Sequence, residues 1–159
     1  MNPKRILFIH GSESSGQTYK ASLLRTFFPE MLSPNFTDDV DERLAQLRLI
    51  TGKTTGWTLI GSSLGGLTAA IFAAQAPTQV RKLVLLAPAL TLSAFDPYRS
   101  SHIQTPTVII HGTQDDVVPW ALVRPIAESV FPNVEFYIVD DDHRLHKTAE
   151  TLDWKTILA

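Results

Sequence analysis

The sequence predicts an α/β protein, a three-layer α/β/α arrangement around a mainly parallel sheet of about six strands. Two observations carry this expectation. Short apolar runs alternate with longer stretches of helical period from one end of the chain to the other. The runs are apolar through their length instead of alternating with polar residues, as expected of strands covered by helices on both faces. The 159 residues hold no linker, repeat or low-complexity segment, so a single domain over residues 1–159 is expected.

In order, the strands are RILFIH (5–10), WTLIGS (57–62), KLVLLAP (82–88), TVIIHG (107–112) and VEFYIVD (134–140), with a weaker one near 31–36. Residues 17–28 form a helix candidate with Tyr19, Leu23, Leu24 and Phe27 on one side. In 39–50, Val40, Leu44, Leu47 and Ile50 fall at helical spacing behind an N-cap at Asp38 or Asp39. Residues 64–76 are nearly all small or apolar and predict a central, buried helix. A helix over 119–130 opens on Pro119, which suits a first turn, and 146–158 reads as a terminal amphipathic helix.

Composition narrows the function. A net charge of -2 and no basic run leave no electrostatic footprint for nucleic acid or an anionic membrane. The absence of cysteine excludes disulfides, thiol nucleophiles and Cys-ligated metals. The apolar stretch at the N-terminus is short for a signal peptide, and no run approaches the roughly 20 residues that span a bilayer. A soluble cytoplasmic protein is expected.

Two stretches bear on chemistry. HGSESSGQTYK (10–20) follows the first strand and, counted from Gly11, spells G-x-x-x-x-G-Q-T, one residue short of a phosphate-binding loop. Gln17 replaces the lysine that meets the phosphates, and a helical offset turns Lys20 elsewhere, so the nucleotide reading fails on chemistry. GSSLGG joins the strand at 57–62 to the most buried helix. Gly61 to Gly65 fits G-x-S-x-G in one frame, with Ser63 central on a tight strand-to-helix turn. A serine hydroxyl becomes a useful nucleophile when a neighbouring base takes its proton, and that base needs a carboxylate to orient it. Of five histidines, His10 and His111 each close a strand in a His-Gly pair and read as loop-shaping, and His102 lies in a polar loop. His143 and His146 follow the last strand in DDDHRLHK.

With these motifs the sequence resembles the α/β-hydrolase fold family over nearly its whole length. The resemblance implies a catalytic serine, acid and histidine in that order on loops after successive strands. It maps the acid to Asp115 in HGTQDDVVP and the histidine to His143, with Ser63 as nucleophile. It also implies an oxyanion hole made by the backbone N–H groups of Ser12 and Leu64. Asp116 or Asp96 could instead be the acid, His146 the base, or DDDH with His146 a metal site.

The chain departs from the family in size. It lacks the two strands that usually precede the first one here, and residues 89–105 are too short an insert for a lid domain. The resemblance therefore implies a shallow, open site, with Tyr19, Leu64, Phe95, Tyr98, Val118 and Trp120 as candidates for an apolar acyl pocket. The expectation is a serine hydrolase, a carboxylesterase or thioesterase acting on a small-molecule acyl substrate without cofactor or metal, with oligomeric state left open. A non-catalytic ligand- or partner-binding protein on the same scaffold, and an acyltransferase sharing the first half-reaction, are the competing readings.

Overall fold

The computed structural model describes residues 1–159 and contains one five-stranded sheet. Its strands are Ile6–Ile9 (β1), Trp57–Ser62 (β2), Val80–Leu86 (β3), Thr107–Gly112 (β4) and Val134–Val139 (β5). They pair in sequence order, all parallel. Side chains alternate across the strands into two separate cores. Leu7, Ile9, Leu59, Leu83, Leu85 and Ile109 face one core, and Ile6, Phe8, Ile60, Val84, Leu86 and Ile110 face the other.

Helices cover both faces, as continuous apolar strands require. On the first face lie Val40–Thr51 (α2), Leu64–Gln75 (α3) and Trp120–Val130 (α4). Tyr19–Phe27 (α1), His146–Thr151 (α5) and Trp154–Leu158 (α6) close the second. The architecture is the expected three-layer one, with five strands where about six were predicted. Near 31–36 the ladder is reduced to Leu32, whose N–H donates to Ile6 O at 2.9 Å and whose carbonyl accepts from Phe8 N–H at 2.8 Å. Pro34 follows two residues later and cannot extend the pairing, having no N–H to give.

Two elements differ from expectation for local reasons. The terminal helix is broken because Asp153 caps a new start, accepting from Thr156 N–H at 3.2 Å and Thr156 Oγ1–H at 2.7 Å. In α1 the buried residues are Lys20, Ala21 and Leu24, while Tyr19 and Phe27 are exposed. The helix is rotated by about one residue from the orientation that an aromatic stripe would favour, and a lysine takes the inward position.

Candidate active site

Ser63 stands between β2 and α3 with φ 55° and ψ -113°, in the region that favours glycine. A non-glycine residue held there costs on the order of 1–3 kcal/mol, so the surroundings must enforce it. Its N–H donates to Leu86 O at 2.9 Å, and its carbonyl accepts from Leu67 and Ala89 N–H at 3.1 and 3.0 Å. The turn is tight enough that a Cβ on Gly65 would lie 1.9 Å from Ile9 O, and one on Gly61 would lie 2.4 Å from Gly65 O.

His143, on the loop after β5, reaches Ser63 Oγ with Nε2 at 3.0 Å and Asp115 Oδ2 with Nδ1 at 2.7 Å. A carboxylate only accepts, so Nδ1–H donates to Asp115 and the Nε2 lone pair of the neutral ring faces the serine hydroxyl. Asp115 is itself held from several sides. Its Oδ1 accepts from Val117 and Val118 N–H at 2.9 and 2.8 Å. His111 Nε2 lies 2.7 Å from Val118 O and 3.2 Å from Asp115 Oδ2. Both neighbours are acceptors, so His111 carries its proton on Nε2. Its buried Nδ1 has no partner, and burial lowers its pKa, which keeps the ring neutral. The histidine read as loop-shaping thus also touches the acid.

The loop after β1 is clamped by a fully buried arginine. Arg43 of α2 donates to His10 O at 2.5 Å, Gly11 O at 3.0 Å and Thr37 O at 2.5 Å, with Asp38 at 3.7 Å. His10 Nε2 accepts from Phe36 N–H at 2.8 Å, so its Nδ1–H donates to Gly11 O at 2.6 Å. Burial lowers the pKa of this ring too, consistent with a neutral tautomer. A peptide unit is planar and trans, so gripping the Gly11 carbonyl fixes the direction of the Ser12 N–H on its opposite side. No protein acceptor takes that N–H. Leu64 N–H, in the first turn of α3, is likewise unclaimed.

Replacing Arg43 with methionine removes the donor from three carbonyls at once. On any ester that the protein turns over, kcat is expected to fall roughly 10²-fold with KM changed only a few-fold, the scale of one hydrogen-bond donor lost from a transition state. Steady-state kinetics beside Arg43→Lys checks this: a positioning role predicts partial recovery of kcat in the lysine variant, and a change confined to KM would contradict it.

Ser63 and His143 open onto a cleft of about 450 Å³ that is also lined by Ser12, Tyr19, Lys20 and His146. Of the residues expected in an acyl pocket, Tyr19 alone lines it. Leu64 and Val118 are buried in the core, and it is Val117 that faces the cleft. Phe95 is fully buried against Tyr98, whose Oη accepts from Gln75 Nε2 at 2.9 Å. Trp120 begins α4 and does not border the cleft. The segment carrying Phe95 and Tyr98 forms a 3-10 helix, Ser93–Tyr98, packed on α3 instead of arching over the site. Phe8, Tyr19 and Val117 are the hydrophobic residues that line the cleft, and polar and apolar atoms share its surface about equally, so the cleft is mixed where an apolar one was expected.

The rival assignments find other partners. Asp116 is exposed, and Asp96 pairs with Arg99 at 3.0 Å. His146 opens α5 and packs on the Tyr19 ring with centroids 4.6 Å apart. Asp141 is taken by Thr148, and no group of three or more His, Asp or Glu donors gathers there. Sequence reasoning missed Arg43 and turned Lys20 away from the opening loop; the structure places Lys20 in the same cleft. In both cases the available signal was a cation at helical spacing within an apolar stripe: Arg43 beside Leu44 and Leu47, Lys20 beside Leu24.

A profile of the alpha/beta hydrolase fold matches residues 10–102. No curated protein matches the chain in sequence. Among solved structures, a proposed hydrolase of the alpha/beta superfamily from Xanthomonas campestris pv. campestris superposes with a TM-score of 0.77 at 28% identity, over 94% of this chain and 92% of that one. Mouse alpha/beta hydrolase domain-containing protein 10 gives 0.74 at 19% identity, covering 93% and 87%. Est1E from Butyrivibrio proteoclasticus gives 0.73 at 17%, covering 91% and 83%. The last two are similar in fold alone. A profile match over more than half the residues, on a parallel sheet with a serine at its strand-to-helix turn, means that the chain belongs to the alpha/beta hydrolase fold family.

Proposed function

We propose that the protein is a serine hydrolase that cleaves small esters or thioesters through an acyl-enzyme. The observation that supports this best is the hydrogen-bonded line Ser63–His143–Asp115, at 3.0 and 2.7 Å, opening onto a cleft. In this reading Ser63 Oγ attacks the acyl carbonyl as His143 Nε2 takes its proton. The carbonyl oxygen, now negative, accepts from Ser12 and Leu64 N–H. Collapse breaks the bond to the leaving alcohol or thiol, which departs with the proton from His143. A water then gives His143 a proton as it attacks the acyl carbon, and the second collapse returns that proton to Ser63 and frees the acid. Asp115 holds the imidazole and stabilises it while it is charged.

A cleft bordered by three hydrophobic residues, with polar and apolar surface in about equal parts, favours short acyl groups over long alkyl chains. Across 4-nitrophenyl esters from acetate to octanoate, kcat/KM is expected to be highest at the short end and to fall with chain length. Folded protein that turned over none of them would leave the non-catalytic reading in place.

A further inference from the structure

We propose that the cleft holds a carboxylate-binding subsite built on Lys20, so that the substrate is an ester or thioester carrying a free carboxylate. The ester half of this statement rests on the hydrolase reading above; the carboxylate half does not.

Lys20 occupies the first turn of α1, with only 9% of its surface exposed, and borders the same cleft as Ser12, Ser63 and His143. An ammonium has three protons to donate. One hydrogen bond is formed, from Nζ to Arg144 O at 2.8 Å, and no carboxylate comes within 4 Å of it.

The nearest acids are engaged elsewhere. Asp141 Oδ2 accepts from Thr148 N–H and Oγ1–H at 2.9 and 2.7 Å, and its Oδ1 accepts from Asp142 N–H at 2.8 Å. Asp142 Oδ1 accepts from Arg144 N–H at 2.9 Å. These acids attract Lys20 only from a distance. Burial is the largest influence on the lysine and pulls its pKa down to about 8, against the attraction of Asp142 and Asp141.

A desolvated cation with one partner is costly, and its place in the first turn adds the unfavourable end of the helix dipole. An anion entering the cleft offsets both penalties. The fixed charges around the cleft agree with this: Lys20 and Arg144 border it, and Glu13, at the exposed rim, is the one carboxylate in its lining. A carboxylate fits the two free donors, since each of its oxygens accepts a charge-assisted bond.

The alternative is that Lys20 only staples the Arg144 carbonyl and so steadies the loop that carries His143. In that case Lys20→Met lowers activity on every ester alike. The deciding experiment compares mono-4-nitrophenyl glutarate with 4-nitrophenyl valerate, and 3-acetoxybenzoate with phenyl acetate. The first pair varies the charge on the acyl side, the second on the leaving group. Going from wild type to Lys20→Met, the charged-to-neutral ratio of kcat/KM is expected to fall about tenfold or more in at least one pair, the scale of one charge-assisted hydrogen bond.

The binding arm needs no turnover. Millimolar glutarate is expected to raise the thermal midpoint of wild type and of Ser63→Ala, but not that of Lys20→Met. Parallel losses on charged and neutral esters, or no stabilisation of wild type by glutarate, would overturn the subsite. If glutarate stabilises wild type through Lys20 but no ester is hydrolysed, the hydrolase reading fails and the subsite stands.

Discussion

Alanine at Ser63 is expected to lower kcat/KM on any ester the protein hydrolyses by at least about 10⁴-fold, the scale seen when the nucleophile of such a constellation is removed. The fold should barely register the change. Ser63 Oγ makes a hydrogen bond to His143 Nε2, whereas the strained turn is maintained by its backbone bonds to Leu86, Leu67 and Ala89. Steady-state kinetics with a 4-nitrophenyl ester, beside a thermal melt followed by circular dichroism, checks both halves. Comparable loss of stability and activity would mean that the residue acts through the fold and not through its hydroxyl.

Asparagine at Asp115 is expected to reduce kcat by a similar factor, on the order of 10⁴, by imposing the wrong tautomer on His143. One carboxylate oxygen accepts from Val117 and Val118 N–H, and an amide must keep its carbonyl there. That leaves the amide N–H₂ facing His143 Nδ1 where Oδ2 had been. A donor at that point requires an unprotonated Nδ1, which moves the ring proton to Nε2, the nitrogen facing Ser63. The base is then blocked without any change of shape. The same N–H₂ also meets His111 Nε2–H, which loses Oδ2 as an acceptor and keeps Val118 O. Stopped-flow or steady-state kcat measures the effect. A variant retaining within tenfold of wild-type kcat would mean that Asp115 does not fix the His143 tautomer and would return Asp116 to consideration.

The sheet was legible because β1 to β4 are largely apolar on both faces, a pattern that parallel sheets under two helical layers impose, while β5 at the edge exposes Glu135 and Tyr137. Ser63 was legible from five consecutive residues, since the glycines answer a steric demand: the close approaches at Gly61 and Gly65 admit no Cβ. Asp115 and His143 are 28 residues apart, and no local pattern joins them. Their meeting was expected only from the resemblance, through the order of loops along parallel strands. What the sequence hid was rotation about an axis and the path of an insert. On α1, hydrophobicity alone favours turning Tyr19 and Phe27 inward, but the helix places Lys20 there, beside the cleft. Phe95 and Tyr98 were assigned to the pocket by their position after β3, yet the 3-10 helix that carries them buries Phe95 against the α3 side of the sheet. Arg43 was obscured for the opposite reason: a charged residue is normally read as solvated, whereas this one lies at 0% exposure because three backbone carbonyls converge on it.

The proposed hydrolysis requires Ser63 Oγ to be an activated nucleophile, and covalent trapping reads that directly. Folded protein treated with a fluorophosphonate is predicted to gain the mass of one phosphonyl group, mapped by peptide mass spectrometry to Ser63, with labelling lost in Ser63→Ala and slowed in Asp115→Asn. An unmodified Ser63, or an adduct carried by another residue, would contradict it.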